Sequence, residues 1–141
     1  MYLMKKSVIL SFCLFSSVFF AQSNNSKKDL IEIQLDKCLE KNYSTAGQRD
    51  CAFKAQESYD KDLNKYYHLT LKRLPKAQKI QFISAQKAWL KFRDSEFSLI
   101  DGYYYNVKQG TLYSVIAAGE KLNVVKARAK QLQVYYEMLD Q

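Results

Sequence analysis

The chain is poor in the residues that break or bend backbone: one proline and four glycines in 141 residues. A sheet protein needs turn formers about every 8–12 residues, and no segment here sustains period-two alternation, so a β architecture is excluded. Histidine is scarcer still, with His68 alone. A nucleophile–histidine pair would have only that base, and it sits in Tyr66-Tyr67-His68, mid-helix, with no nucleophile motif beside it. There is no Walker loop, dinucleotide fingerprint or zinc motif. The carboxylate pairs Asp60/Asp62 and Asp94/Glu96 are two apart on helices and point about 160° from each other. These absences argue for a protein that is not an enzyme and carries no cofactor or metal.

Long hydrophobic runs are also missing except at the start. Lys5 and Lys6 precede an uncharged, mostly apolar run from Ser7 to Phe20, and Ala21 stands before polar Gln22-Ser23-Asn24-Asn25. That is the pattern of a secretory signal peptide, too short to span a bilayer. Cys13 lies inside the run behind bulky Phe12, which reads against lipidation. The expected division is therefore a signal peptide over 1–21, a polar arm over 22–28 and a helical domain over 29–141. Removal of the leader with its two lysines would take the net charge from +8 to about +6. The expected location is exported, periplasmic or secreted. Two cysteines remain, Cys38 and Cys51, and in an oxidising compartment they read as a disulfide.

The few breakers divide the rest. Asp29 to about Lys41 is a short amphipathic helix through Leu30, Ile33, Leu35 and Cys38. Thr45 and Gln48 suggest a capping box opening a second helix, in which Cys51, Ala55, Tyr59, Leu63, Tyr67 and Leu71 recur every fourth residue. Leu74 closes this stripe before Pro75, which suits the first turn of a third helix. That helix carries Ile80, Ile83, Trp89, Leu90, Phe97 and Ile100 and stops near Asp101-Gly102. Tyr103 to Gly110 reads as a loop. Leu112 to Leu139 forms the last helix through Val115, Ile116, Leu122, Val125, Leu132, Tyr135 and Leu139. The fold class is all-α: a small up-and-down bundle of one short and three long helices with one disulfide.

Cys51, Ala55, Tyr59-Asp60, Leu63-Asn64 and Tyr67, then Ala85-Gln86, Trp89 and Phe92-Arg93-Asp94, resemble the signature of the LprI-like family of lysozyme inhibitors. Cys38, the Thr45 position, Arg128 and Leu132 fit as well, so the resemblance runs from about Leu35 to Leu132. It implies a small exported bacterial domain, of a family largely without established function, with lysozyme or another envelope protein as a partner. Many members carry a second cysteine pair, one cysteine lying three residues after the Arg-Asp; Phe97 stands there in this chain.

Read without the family, the same residues are structural. Tyr59, Leu63, Tyr67 and Trp89 at helical spacing are expected in the core, Trp89 and Tyr59 between the second and third helices. Arg93, one turn beyond Trp89, is expected to pair with Asp60 or Asp62 on the facing helix. Asn64 and Gln86 would form interhelical hydrogen bonds. Basic clusters at Lys27-Lys28, Lys72-Arg73-Lys76-Lys79 and Lys121-Lys126-Arg128-Lys130 read as solvated faces, with anionic glycans or lipids as alternative partners. Nucleic acid is not an expected partner of an exported chain. Tyr103, Tyr104 and Tyr105, with Lys72 and Arg73, are the candidate binding surface. Many animal lysozymes are basic, so complementarity with one would need a local acidic patch, with Asp94, Glu96 and Asp101 as candidates.

Overall fold

The computed structural model describes residues 29–139; the expected signal peptide and polar arm lie outside the described residues. Four α-helices follow in order: α1 (Leu30–Leu39), α2 (Thr45–Arg73), α3 (Lys76–Asp101) and, after a π-helical turn over Gly102–Lys108, α4 (Thr111–Met138). No helix among the described residues is long and apolar enough to cross a membrane.

Local chemistry sets the ends. Asp29 caps α1, its Oδ1 accepting from the Ile31 amide at 3.0 Å, while Glu32 and Lys37 sit in the first and last turns, where the helix dipole favours their charges. The cap of α2 is Ser44, one residue earlier than the Thr45 expected, and its Oγ accepts from the Gly47 amide at 3.0 Å. The glycine is required there because a Cβ on Gly47 would lie 2.8 Å from the Asn42 Cβ. Leu74 is extended before Pro75, as residues before proline are, and Pro75 caps α3 without donating. Gln109 and Gly110 both have positive φ, 55° and 109°, which turns the chain sharply into α4.

The helices alternate in direction. The Cys38–Cys51 disulfide, with Cα atoms 5.7 Å apart, and the hydrogen bonds from Tyr59 to Asp29 and Glu32 make α1 antiparallel to α2. Tyr67 stacks on Phe82 at 5.3 Å across the α2–α3 turn. Phe82 meets Tyr135, and Asp101 meets Lys121, so α3 runs antiparallel to α4.

The core lies chiefly between α2 and α4, which run parallel. Ala52, Ala55, Tyr59 and Leu63 face Ala118, Leu122, Val125, Ala129 and Leu132. The alanines keep the contact residues small, and small contact residues let helix axes approach closely. Each buried Leu or Val contributes roughly 1.5–3 kcal/mol by leaving water. The strict four-residue repeat of α2 advances about 400° per step, so its stripe rotates by about 40° each turn. By the end of the helix Thr70 has replaced Leu71 on the buried face.

The third helix departs from expectation. Only Gln86 and Ile100 are buried on it; Ile80 is 66% exposed, and Leu90 and Phe92 are also open. Because α4 is already occupied by α2, α3 can seat only part of its apolar stripe. The remainder lines clefts.

Candidate functional site

Tyr59 is fully buried and marks where α1, α2 and α4 meet. Its hydroxyl donates to Glu32 Oε1 at 2.6 Å and lies 3.1 Å from Asp29 Oδ2. Those carboxylates also hold Lys126 at 2.8 Å and Lys130 at 2.5 Å, and both ammonium groups lie within 6 Å of the Tyr59 ring. Burial alone would raise the Asp29 and Glu32 carboxyls, but hydrogen bonds from the lysines, from Tyr59 and, for Asp29, from the Ile31 amide hold both below their ordinary range. Burial, then the two carboxylates, pushes the Tyr59 phenol well up. The cluster is closed and satisfied, which makes it a clasp. Tyr59 thus packs between α2, α1 and α4, and the sequence expectation of an α2–α3 position is corrected.

The α3–α4 face is different. Trp89 is half-buried there and packs against the core from the α3 side. Gln86 makes the interhelical bonds expected of it: its Oε1 accepts from Arg128 Nε at 3.0 Å and Nη2 at 2.8 Å. Arg128 also donates from Nη1 to Gln131 Oε1 at 2.5 Å, and its guanidinium lies 5.8 Å from the Trp89 ring. Burial lowers its pKa. A cleft of about 540 Å³ opens beside this group, walled by Trp89, Phe92, Val124, Ala127, Asn123 and Gln131.

Other expected contacts do not form. Arg93 turns to its neighbour Asp94, donating from Nε at 2.9 Å and Nη2 at 2.7 Å, and lies 5.6 Å from the Trp89 ring. Neither Asp60 nor Asp62 is its partner, because α3 packs on α4 and does not present this face to α2. Asn64 bonds within its own helix, to the Asp60 carbonyl at 2.8 Å and the Asp60 carboxylate at 3.1 Å. Phe97, at the position of the missing cysteine, is half-buried against the core with the Lys121 ammonium 5.4 Å from its ring. His68 is exposed beside Tyr67.

Tyr103 to Gly110, expected as a loop, is largely a π-helical turn, closed by the Gln109 amide donating to the Tyr104 carbonyl at 3.1 Å. It orders the tyrosines: Tyr103 lies edge-on to Tyr104 at 5.1 Å, and Tyr104 stacks with Tyr113 at 6.3 Å. Tyr103 and Tyr105 remain exposed, as do Val107 and Leu112. A second cleft of about 380 Å³ beneath them is lined by Glu96, Leu99, Ile100, Tyr103, Tyr104 and Glu120. Of the acids expected to form a patch, Asp94 pairs with Arg93 and Asp101 with Lys121; Glu96 lines this cleft with Glu120, and the Lys108 ammonium lies 5.5 Å from the Tyr103 ring. Lys72 and Arg73 are exposed at the opposite end, where Arg73 lies 4.3 Å from the Tyr136 ring. They do not share a surface with the tyrosines.

Among the described residues no group of three or more His, Cys, Asp or Glu is placed to hold a metal ion. The architecture is that of a small helical domain pinned by one disulfide, with open aromatic clefts along α3 and α4. Its sequence matches the family model described as lysozyme inhibitor LprI over residues 37–132, and the chain belongs to the LprI family. Among solved structures it is similar to the crystal structure of an uncharacterized protein from Burkholderia thailandensis, at 27% identity and a TM-score of 0.75. The match covers 82% of this chain and 57% of that one, so the chain spans little more than half of that protein's length. No curated protein matches it.

Proposed function

We propose that the protein is an exported, non-catalytic binding protein that inhibits a lysozyme, docking through the aromatic surface around the π-helical turn. Membership of the LprI family supports the activity. The observation that carries the location is the exposure of Tyr103 and Tyr105 on an ordered turn, flanked by exposed Val107 and Leu112. Tyrosine supplies contact area at low entropic cost, and π-helical turns recur at functional sites. Glu96 and Glu120 line the cleft beneath these tyrosines and offer carboxylates to a basic enzyme.

The test is a pull-down of the full chain against several lysozymes, and against peptidoglycan and lipopolysaccharide, at two salt concentrations, with lysozyme activity measured alongside. Retention of a lysozyme with loss of its activity, weakened in a Tyr103→Ala/Tyr105→Ala variant of unchanged melting temperature, supports the reading. Undiminished hydrolysis by every enzyme tried rejects it. Salt-sensitive retention on lipopolysaccharide alone would favour the second reading, an envelope protein that binds anionic glycan or lipid surfaces, which the net charge of about +6 left after removal of Lys5 and Lys6 supports. Export with cleavage after Ala21 belongs to the proposal; an intact mass beginning at Met1 in exported protein would reject it.

A further inference from the structure

We infer that the cleft between α3 and α4 is a binding site for an acidic saccharide, whose carboxylate is taken up by Arg128. The inference does not rest on lysozyme inhibition. Its starting point is a charge imbalance. The partly buried cations Lys121, Lys126, Lys130 and Arg93 each have a carboxylate within 2.8 Å. Arg128 is more buried than any of them, at 8% exposure, and its hydrogen bonds go to the neutral side chains of Gln86 and Gln131. No ion pair to it forms among the described residues. A buried guanidinium without a counter-ion is costly, and these hydrogen bonds leave N–H donors of its planar fork unused.

The space beside it suits a ligand. The cleft holds about 540 Å³ and opens to solvent, within the roughly 300–1,000 Å³ typical of small-ligand sites. Its lining is mixed: Trp89, 54%-exposed Phe92 and Val124 give apolar surface, while Asn123 and Gln131 give amide donors and acceptors. A fatty acid would make no use of those amides. A phosphate dianion would meet about twice the repulsion from the Glu120 carboxylate on the cleft wall that a single carboxylate meets at the same distance. One carboxylate on a ring rich in hydroxyls satisfies every part: the guanidinium takes the charge, the amides and Glu120 take hydroxyl or acetamido groups, and the ring's apolar face lies against the aromatics. A concave pocket of this size also favours a small ligand over the flat surface of a folded partner.

Trp89 is the one tryptophan of the chain and forms part of the cleft wall, so fluorescence under tryptophan-selective excitation, which leaves the eleven tyrosines dark, reports on this site. The full chain is titrated with N-acetylmuramic acid and with N-acetylglucosamine, which has the same ring without the carboxylate. Saturable change with the first and binding about tenfold weaker or absent with the second is expected, as for loss of one charge-assisted hydrogen bond. Arg128→Lys, which keeps the charge but loses the fork, should weaken binding about tenfold. Should Arg128→Lys lose helicity, Phe92→Ala decides, since its exposed side chain can be removed without unfolding and should also weaken binding. Equal binding of the two sugars, absence of saturation, or full affinity in Phe92→Ala overturns the assignment. So does binding of a short aspartate-containing peptide with no response to either sugar, which would make the occupant a protein side chain.

Discussion

The hydroxyl of Tyr59 and the carboxylate of Glu32 meet at 2.6 Å, and that bond ties the first helix to the second one turn from where the chain enters the bundle. Asp29 is close enough to compete for the same proton, and Lys126 and Lys130 of α4 complete the ring of charge. Three helices are thus fixed by one buried phenol. Tyr59→Phe keeps the ring and removes the bond, so it should cost about 1.5–3 kcal/mol, the range for hydrogen bonds to charged groups. Chemical denaturation of the two proteins measures it; an unchanged midpoint would show that the clasp contributes nothing net.

The clasp also predicts a pH profile. Asp29 and Glu32 are held below their ordinary values of 3.8 and 4.5. Their contribution is present above the unfolded-state values and is lost as pH falls through the folded ones. The melting temperature should be level above about pH 5 and should drop below about pH 4. Tyr59 acts at the other extreme: its neutral form is favoured in the fold, so stability declines as pH rises past the ordinary phenol value of 10.0. An Asp29→Asn/Glu32→Gln variant, which keeps a competent helix cap, should melt lower at neutral pH and converge with the parent near pH 3. Parallel profiles across the whole range would refute the linkage.

The disulfide closes a separation of 13 residues between α1 and α2. In the chain-entropy picture a loop of this size is worth about 3 kcal/mol, so Cys38→Ser/Cys51→Ser should lower stability by roughly 2–4 kcal/mol. Helicity by circular dichroism should be kept, because the α2–α4 core does not depend on the bridge. Collapse of the helical signal at neutral pH would show that it does.

Truncations should separate the two faces of α4. Leu132 is fully buried, and Leu132→Ala should cost about 2–5 kcal/mol through the cavity it leaves. Trp89 forms the wall of an open cleft, so Trp89→Ala should cost about 1–2 kcal/mol, less than the 3–5 kcal/mol of an enclosed aromatic. Thermal melts of both variants check the order, and a Trp89→Ala cost equal to that of Leu132→Ala would place Trp89 in the core after all.

Much of this was legible in the residues. Pro75, the glycine-marked turns and the apolar stripes gave four helices with ends close to those observed, and the cysteine pair gave the bridge. What the stripes did not convey is which helices face each other. Periodicity reports that a side is apolar, and says nothing of which neighbour covers it. Arg93 was therefore given an acid on α2 when a nearer one, Asp94, stands beside it. Arg128 belongs by composition to a basic run, yet it lies three residues after Val125 and four before Leu132, on the buried stripe. That spacing was the available signal. The π-helical turn carried no pattern, because tyrosines are weak helix formers and the i→i+5 bonding is set by packing on Tyr113 and Ile100.

The parallel pairing of α2 with α4 bears on how the chain reaches its folded form. Half of the core belongs to α4, the final helix, and α2 cannot bury its own stripe until that helix arrives, after all of α3 and the tyrosine turn have been made. A chain emerging from the ribosome would carry an unsatisfied Ala55–Tyr59–Leu63 face until α4 had followed it. The order of helices leaves the core pair incomplete until α4 has been made.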